Sequence, residues 1–217
     1  MNELKLYHYW RSSSSWRVRL ALAHKKLSAE FIHVSLLNGE AESPSHRARN
    51  PLGYVPVLEV THENKTHLLF ESLSILEWLE ETYPTPSHLP KDSFTRARAR
   101  SLSEIINSEI QPLHNLSVLN EVSGEAEAKK HWAQHWIAQG LNAYELSLKN
   151  FSGLYSIGDE LTNADFCLVP QCYAAERFEV DLKQYPKLYQ IYLNLQKTGV
   201  YALTHPDRFK PADFSGP

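Results

Sequence analysis

Several features that would assign a chain of 217 residues to a functional class are scarce or absent here. Two cysteines exclude a disulfide framework, and 22 Lys and Arg against 25 Asp and Glu leave a net charge of -3, which excludes a broadly basic surface for nucleic acid or anionic membrane. No run approaches the roughly 20 apolar residues of a membrane helix, and residues 1–30 lack a signal-peptide core. We therefore expect a soluble, cytoplasmic protein with no nucleic-acid or membrane partner.

Familiar catalytic motifs are missing as well. The sequence has no glycine-rich phosphate loop and no Gly-x-Ser-x-Gly elbow for a nucleophilic serine. His131 and His135 have the spacing of a metal pair, but no third ligand is evident, so a solvated helix face is the preferred interpretation and no metal is expected. Cys167 and Cys172 lie five positions apart on a predicted helix and are expected to be buried and unbridged. The polypeptide offers no convincing nucleophile of its own.

The first part of the chain alternates between strand and helix periodicity. Strands are predicted at residues 4–9, 30–35, 55–60 and 66–70, and helices at residues 16–26 and 72–82. A strand, a helix and a second strand favour a parallel pair. Residues 38–49 are polar and predict a loop with a short helix, and Pro56 belongs at a strand start or edge because it cannot donate to a sheet ladder. The predicted first domain is therefore α/β and covers residues 1–83.

Three prolines in residues 84–90 mark a linker, and every strong signal after it is helical. Apolar stripes at helical spacing predict an all-α second domain over residues 91–217. Thr162 and Asp165 have the spacing of a capping box at a helix start. Pro170 lies inside the apolar run that follows, so we expect a kink or an early end of that helix.

The most unusual local feature is the segment RSSSSWRVR at residues 11–19, between the first strand and the first helix. Serines at such a junction present hydroxyl and amide groups where the helix dipole favours negative charge, so an anion is expected there. The alternative is that one serine only caps the helix. Arg11, Arg17 and Arg19 favour the anion slightly, although all three are equally compatible with solvated positions.

A second candidate site is Glu71-Ser72, which ends a predicted strand and opens a helix. Ser72 is a plausible N-cap that could hold a carboxylate with the helix N-terminus, and Glu71 could hold an ammonium. An amino-acid-like zwitterion would satisfy both groups. As a dipeptide alone the pattern is weak.

Taken in order, these segments resemble one family, the zeta-class glutathione S-transferases. The string RSSSSWRVRLAL resembles the class signature Ser-Ser-Cys-x-Trp-Arg-Val-Arg-Ile-Ala-Leu, and IQPLHNLSVL at 110–119 and VPQCYAAERFEVDL at 169–182 resemble further segments of the class. The likeness spans nearly the whole chain. It implies a thioredoxin-like first domain, a helical second domain, glutathione as cofactor and a homodimer.

The resemblance also implies roles for individual residues of the first domain. Ser12 would be the hydroxyl that supports the glutathione thiolate, with Ser13 and Ser14 beside it, so these three are the implied catalytic residues. Val55, which precedes a cis-proline in the family, would pair its backbone with the cysteinyl part of glutathione. The amine and carboxylate of the γ-glutamyl part would lie at Glu71 and Ser72.

Further implied contacts come from the helical domain and from two arginines. The glutathione contacts of that domain match Gln111, Asn115 and Ser117. Arg177 matches an arginine that meets a substrate carboxylate, and Arg11 is a second candidate for a small dicarboxylic keto acid.

The activity implied by the class is isomerisation of maleylacetoacetate, a step of tyrosine and phenylalanine catabolism. Ser14 stands where the signature usually has Cys, which removes any covalent role of that thiol but leaves isomerisation, since the sulfur comes from glutathione. Glu71, where members often have Gln, should strengthen an ammonium contact. Maleylpyruvate isomerisation or transfer to small α-halo acids stays open, as does a glutathione-transferase-like binding protein without activity.

Overall fold

The structure, a computed structural model, describes residues 2–212 and residue 214. The chain divides into two compact units, one joining residues up to Ser87 with those from Gly199 onward and the other running from His88 to Thr198. The division falls inside the predicted linker at 84–90. It differs from the predicted range 91–217 because the residues from Gly199 onward pack with the first unit.

The first unit is built on a mixed four-stranded sheet with the order β2-β1-β3-β4. Its strands are β1 (Glu3–His8), β2 (Glu30–His33), β3 (Val57–His62) and β4 (Lys65–Phe70), and its first helices are α1 (Ser13–His24), α2 (Pro44–Arg47) and α3 (Ser72–Thr82). The predicted parallel pairing of β1 with β2 is confirmed, while β3 pairs antiparallel with both β1 and β4. This is the thioredoxin-like sheet that the resemblance implies.

The strand register brings three chain segments to one edge of this sheet. Tyr7 near the end of β1 pairs with Val57 at the start of β3, and Val57 pairs in turn with Phe70 at the end of β4. Adjacent strands lie about 4.8 Å apart. The β1–α1 junction, the entry to β3 and the β4–α3 junction therefore lie side by side.

The second unit is helical. It contains α4 (Ser93–Glu109), α5 (Leu116–Val122), α6 (Ala126–Ser147), α7 (Asn163–Arg177) and α8 (Pro186–Gln196), with a 3-10 turn at Gln111–His114 between α4 and α5. The predicted capping box is present, because the carboxylate of Asp165 accepts from the amide of Thr162 at 2.8 Å. In the part of the chain that the structure describes, each helix is too short or too polar to cross a bilayer.

Of the two outcomes expected at Pro170, a kink or an early end of the helix, the early end is wrong. α7 continues through Pro170 to Arg177, although a proline inside a helix removes one backbone hydrogen bond at a cost of about 3 kcal/mol. Every residue from Asn163 to Cys172 is buried, so packing on all sides of the helix offsets that loss.

The chain returns to the first unit in α9 (Gly199–Thr204). The indole of Trp16, in α1, donates from Nε1 to Oγ1 of Thr204 at 2.9 Å, and its ring lies against Tyr201 and His205. α1 is thus covered on several sides, and its residues Ser15 to Leu22 are all buried. A helix buried all round is expected to be apolar all round, apart from groups that find partners.

Candidate active site

Ser12 caps the N-terminus of α1. Its hydroxyl oxygen accepts from the amide of Ser15 at 3.2 Å, and its own amide donates to the carbonyl of Tyr9 at 3.1 Å. The helix therefore begins at Ser13, three residues before the predicted start, because the serines supply the cap that the apolar pattern does not register.

Besides capping the helix, this junction offers hydrogen-bond donors to a ligand. The oxygen of Ser12 accepts one hydrogen bond, so its hydroxyl hydrogen remains a donor. Helix geometry leaves the amides of Ser13 and Ser14 without acceptors inside the helix, and the first turn of α1 carries no acidic side chain. The end of α1 is thus a site of partial positive charge with several donors, suited to an anion.

Ser72 is not the N-cap of α3, contrary to the sequence prediction. Glu71 occupies the cap with φ 67° and ψ 114°, which makes Ser72 the first helical residue and buries it. Its hydroxyl oxygen accepts from Nη1 of Arg17 at 3.1 Å. An arginine can only donate, so the hydroxyl hydrogen of Ser72 is left to meet an acceptor.

Glu71 is exposed and holds a backbone conformation that residues with a side chain avoid. Such positive φ values cost of order 1–3 kcal/mol and are concentrated at functional sites. The sharp turn moves the chain directly from the end of β4 into α3. An exposed carboxylate and a buried hydroxyl consequently stand at consecutive positions, as an amino-acid-like zwitterion requires.

Val55 lies at the entry to β3, before a cis peptide bond to Pro56. Its side chain is buried in a cluster with Tyr9, Trp10 and Val57. Because Tyr9 and Trp10 precede the Ser12 cap, this cluster ties the entry to β3 to the β1–α1 junction. The sheet register thus brings the predicted residues Ser12, Val55 and Glu71 to one edge of the first unit.

The predicted contacts of the helical domain lie in the second unit, on the 3-10 turn and the start of α5. Gln111 is half-buried in the turn, Asn115 caps α5 by accepting from the amide of Leu116 at 2.8 Å, and Ser117 is exposed on α5. Sequence reasoning missed what holds this segment. Nε2 of His114 lies 3.2 Å from Oε1 of Gln171 in α7, and both residues are buried.

The two predicted substrate arginines differ in setting. Arg11 is half-buried at the β1–α1 junction, with its guanidinium 5.2 Å from the centre of the Trp10 ring. Arg177 is exposed at the last position of α7 in the second unit. Arg11 therefore belongs to the same junction as Ser12, and Arg177 belongs with the helices.

Comparisons with known proteins agree with this geometry. Residues 6–87 match the family model of the glutathione S-transferase N-terminal domain. A probable maleylacetoacetate isomerase 2 of Drosophila melanogaster is 45% identical over 203 residues, covering 93% of this chain and 87% of the relative. The chain belongs to the zeta class of glutathione S-transferases.

Solved structures of the class have the same fold. A maleylacetoacetate isomerase of Anaeromyxobacter dehalogenans 2CP-1, crystallised with GSH in its active site, is 46% identical with a TM-score of 0.88, covering 97% of this chain and 98% of that one. The same enzyme was also crystallised with dicarboxyethyl glutathione and citrate. A bacterial zeta-class maleyl pyruvate isomerase in its holo form is 35% identical with a TM-score of 0.89, covering 97% of this chain and all of that one.

The sequence left open whether Arg17 and Arg19 of this zeta-class chain are buried or solvated. Arg17 and Arg19 are fully buried in α1 and hold hydrogen-bond partners, so they are not solvated. The sequence does carry a signal for this burial, because arginines inside the apolar run WRVRLALA must be buried once the helix is buried all round.

The described residues also bear on other chemistry. Within residues 2–212 and 214, no group of three or more His, Cys, Asp or Glu side chains is arranged to hold a metal ion, and His131 and His135 are exposed on α6. Cys167 and Cys172 are buried and unbridged, as predicted, and burial raises the pKa of the Cys172 thiol. A buried thiol of raised pKa is a poor nucleophile.

Proposed function

We propose that this chain is a glutathione-dependent cis–trans isomerase that converts maleylacetoacetate to fumarylacetoacetate. The observation that carries the proposal is the sheet edge of the first unit, where Ser12, Val55 and Glu71-Ser72 are adjacent. Membership of the zeta class, with relatives named for this reaction, supports the same function.

The site fits the charges and the length of glutathione. Glu71 offers a carboxylate to the γ-glutamyl ammonium, and Ser72 offers its hydroxyl to the γ-glutamyl carboxylate with the Arg17 cation behind it. The main chain at Val55 is suited to pair with the peptide, and the end of α1 offers donors to the sulfur. An extended tripeptide spans about 10 Å, which is about two strand spacings, the separation of β1 from β4.

When bound, glutathione supplies a thiolate that adds to the cis double bond, allows rotation about the resulting single bond and leaves again as the trans bond forms. Ser12 donates its hydroxyl hydrogen to the sulfur and so favours the charged form. Lowering a thiol pKa from about 8.5 to about 6.5 raises the thiolate fraction at pH 7 roughly 25-fold, but about 6- to 10-fold is lost through weaker nucleophilicity. Ser12 therefore contributes only a few-fold.

The larger contributions come from positioning and from positive charge that faces the substrate. Arg177 would bind a carboxylate of the substrate, as the resemblance implies, and Arg11 is the second candidate for that role. A dicarboxyethyl glutathione, the ligand crystallised with the bacterial relative, carries two carboxylates beyond the tripeptide, which supports a substrate that carries carboxylates. Ser14 in place of the usual Cys leaves this chemistry intact because no protein thiol takes part.

The test follows conversion of maleylacetoacetate to its trans isomer with and without glutathione. Conversion that depends on glutathione supports the proposal. No conversion in the presence of both the substrate and glutathione contradicts it.

Arg177→Ala should raise KM for the diacid at least tenfold and leave KM for an uncharged electrophile unchanged. The exposed Lys187→Ala in the same unit is the control. An equal loss with both substrates would remove Arg177 from carboxylate binding.

Maleylpyruvate is the second candidate substrate, favoured by the fold match to the zeta-class maleyl pyruvate isomerase. Both substrates present a cis double bond next to a carbonyl, so one site can serve both. Measuring kcat/KM for the two substrates in parallel decides between them.

We also propose that the chain forms a homodimer, as its class implies. The edge strand β4 exposes Leu68 and Phe70, apolar side chains that a partner could cover. A monomer mass in light scattering at micromolar concentration would contradict it. A cytoplasmic location stays a prediction from the sequence.

A further inference from the structure

Arg19 is buried beneath the residues that lead into the Ser12 cap. Its Nη2 donates to the carbonyl of Trp10 at 2.9 Å, and its Nη1 reaches the carbonyl of Tyr9 at a longer 3.5 Å. The same Tyr9 carbonyl accepts the amide of Ser12 at 3.1 Å. Arg19 and Ser12 are thus fastened to the same short stretch of main chain.

An imidazole and a phenyl ring also contact Arg19. Nη1 of Arg19 lies 3.0 Å from Nδ1 of His8, and the guanidinium lies 4.6 Å from the centre of the Phe209 ring. Phe209 comes from the 3-10 turn Pro206–Phe209 and also contacts the rings of His8 and Phe31. A residue near the end of the chain therefore covers a charged contact inside the first unit.

The chemistry of this contact fixes the state of His8. Arginine has no acceptor, so Nδ1 of His8 must accept the hydrogen bond, which requires a neutral imidazole with its proton on Nε2. Burial lowers the pKa of His8 to about 3, with smaller contributions from the charge of Arg19 and then from His33. Burial also lowers the pKa of Arg19 to about 9, so Arg19 stays charged at neutral pH.

We propose that Arg19 is a positioning residue for the isomerase: by fastening the carbonyls of Tyr9 and Trp10 beneath the cover of Phe209, it sets where Ser12 meets the sulfur of the bound tripeptide. This inference rests on the proposed function and deepens it. Hydrogen bonds from a charged donor are about twice as strong as neutral ones, and a shift of about 1 Å at a reacting group can cost about 100-fold in rate.

Phe209 acts by excluding water from the pair formed by Arg19 and His8. If the ring is removed, hydration lets His8 take up a proton closer to its ordinary pKa, and an imidazolium can neither accept from Arg19 nor lie beside it without repulsion. Among residues 2–212 and 214, the titratable groups that face His8 are Arg19 from α1 and His33 from β2, both of which oppose its protonation, while Phe31 and Phe209 carry no charge. Loss of the cover should therefore weaken the site at acidic pH and leave it nearly intact at pH 8.

The first experiment follows glutathione binding by calorimetry and the His8 imidazole by NMR in the free protein, from pH 5 to pH 8. In the wild type, His8 should not titrate in this range. In Phe209→Ala its midpoint should move towards about 6, and the Kd for glutathione should rise about tenfold or more below that midpoint. Phe209→Leu keeps an apolar cover and should behave as the wild type, and the exposed neighbour change Arg208→Ala is the control.

The double variant His8→Gln/Phe209→Ala separates positioning from general damage. Glutamine can accept from Arg19 and cannot titrate, so the loss of binding at acidic pH should disappear in this background. The inference is overturned if glutathione binding at acidic pH is still weakened in the double variant. It is also overturned if Phe209→Ala binds glutathione as the wild type does from pH 5 to pH 8. A wild type that does not bind glutathione at all instead overturns the proposed function.

Arg19 itself is tested by a pair of variants. Arg19→Gln should lower kcat and raise the pH midpoint of the bound thiolate, read from its ultraviolet absorbance, while Arg19→Lys should restore part of both. Equal thiolate midpoints in the wild type and both variants contradict a positioning role. If Arg19→Gln fails to fold, the Phe209 series still decides the matter.

Discussion

Nη1 of Arg17 donates to the hydroxyl oxygen of Ser72 across 3.1 Å, and both side chains are buried. This contact links α1 to the start of α3. Because the guanidinium occupies the oxygen as a donor, it selects which way Ser72 faces a ligand: the hydroxyl hydrogen is offered to an anion. A buried cation behind a donor of this kind is what the γ-glutamyl carboxylate requires.

Ser72→Ala should raise the Kd for glutathione about 10- to 100-fold, since a hydrogen bond to a charged group contributes about 1.5–3 kcal/mol. Calorimetry measures the change, and Ser74→Ala, an exposed serine in the same helix, is the matched control. A glutathione analogue without the γ-glutamyl carboxylate should bind the wild type and Ser72→Ala equally. Unequal binding of that analogue would show that Ser72 acts on another part of the ligand.

Ser12 combines a structural and a chemical role that two substitutions can separate. Ser12→Ala should cost about 1 kcal/mol of unfolding free energy through the lost cap and should raise the pH midpoint of thiolate formation. Ser12→Asp keeps an acceptor for the Ser15 amide, so stability should hold while the added charge raises that midpoint further. Urea unfolding and thiolate absorbance are the two measurements. An unchanged midpoint in Ser12→Ala removes Ser12 from thiolate support.

Replacing Glu71 by glycine should stabilise the fold and weaken glutathione binding. Glu71→Gly relieves the positive φ and should raise the unfolding free energy by about 1 kcal/mol, while glutathione binding weakens with the lost carboxylate. Glu71→Gln should weaken binding without stabilising the fold. Glu63→Gly, at another positive-φ position in the β3–β4 turn, should stabilise without affecting binding. If Glu71→Gly is no more stable than the wild type, the strain at Glu71 is absent.

The contact between His114 and Gln171 should fix the position of the 3-10 turn whose Gln111 the resemblance implies as a glutathione contact. Gln171→Leu removes a buried acceptor from His114, so the 3-10 turn that carries Gln111 should lose its fixed position and KM for glutathione should rise several-fold. Gln171→Glu retains an acceptor and should recover most of the affinity. Steady-state kinetics at several glutathione concentrations measures both. A fall in kcat with KM unchanged would contradict this role.

Lys25 should be a main determinant of where the first unit ends. Its buried ammonium donates to the Glu80 carboxylate at 2.7 Å and to the carbonyls of Tyr83 and Pro86 at 2.6 and 3.0 Å. Lys25→Met removes the cation from the partly buried Glu80 carboxylate and should cost about 3–5 kcal/mol in urea unfolding. Lys25→Met/Glu80→Met should recover much of that loss. Strict additivity of the two single changes would contradict the pairing.

Much of the first unit could be predicted from local pattern because its elements carry strong periodic signals. The helix at 72–82 has the predicted bounds, and the parallel pairing of β1 with β2 follows from the order of the elements. The start of α1 and the cap of α3 were misplaced, since both depend on backbone angles at Ser12 and Glu71 that periodicity does not specify. The early helix end expected at Pro170 was wrong because burial of the helix around it offsets the lost hydrogen bond.

The sequence by itself determined the class of the protein, the order of its elements and the residue types offered to an anion and a zwitterion. Motifs and periodicity are local properties that can be read from the sequence alone. Only the tertiary structure decided that Arg17 and Arg19 are buried partners of Ser72 and of the main chain before Ser12, and that Phe209 covers one of them. Those contacts join residues as far apart in sequence as Arg19 and Phe209, and burial gives an arginine a fixed partner where water would leave it mobile.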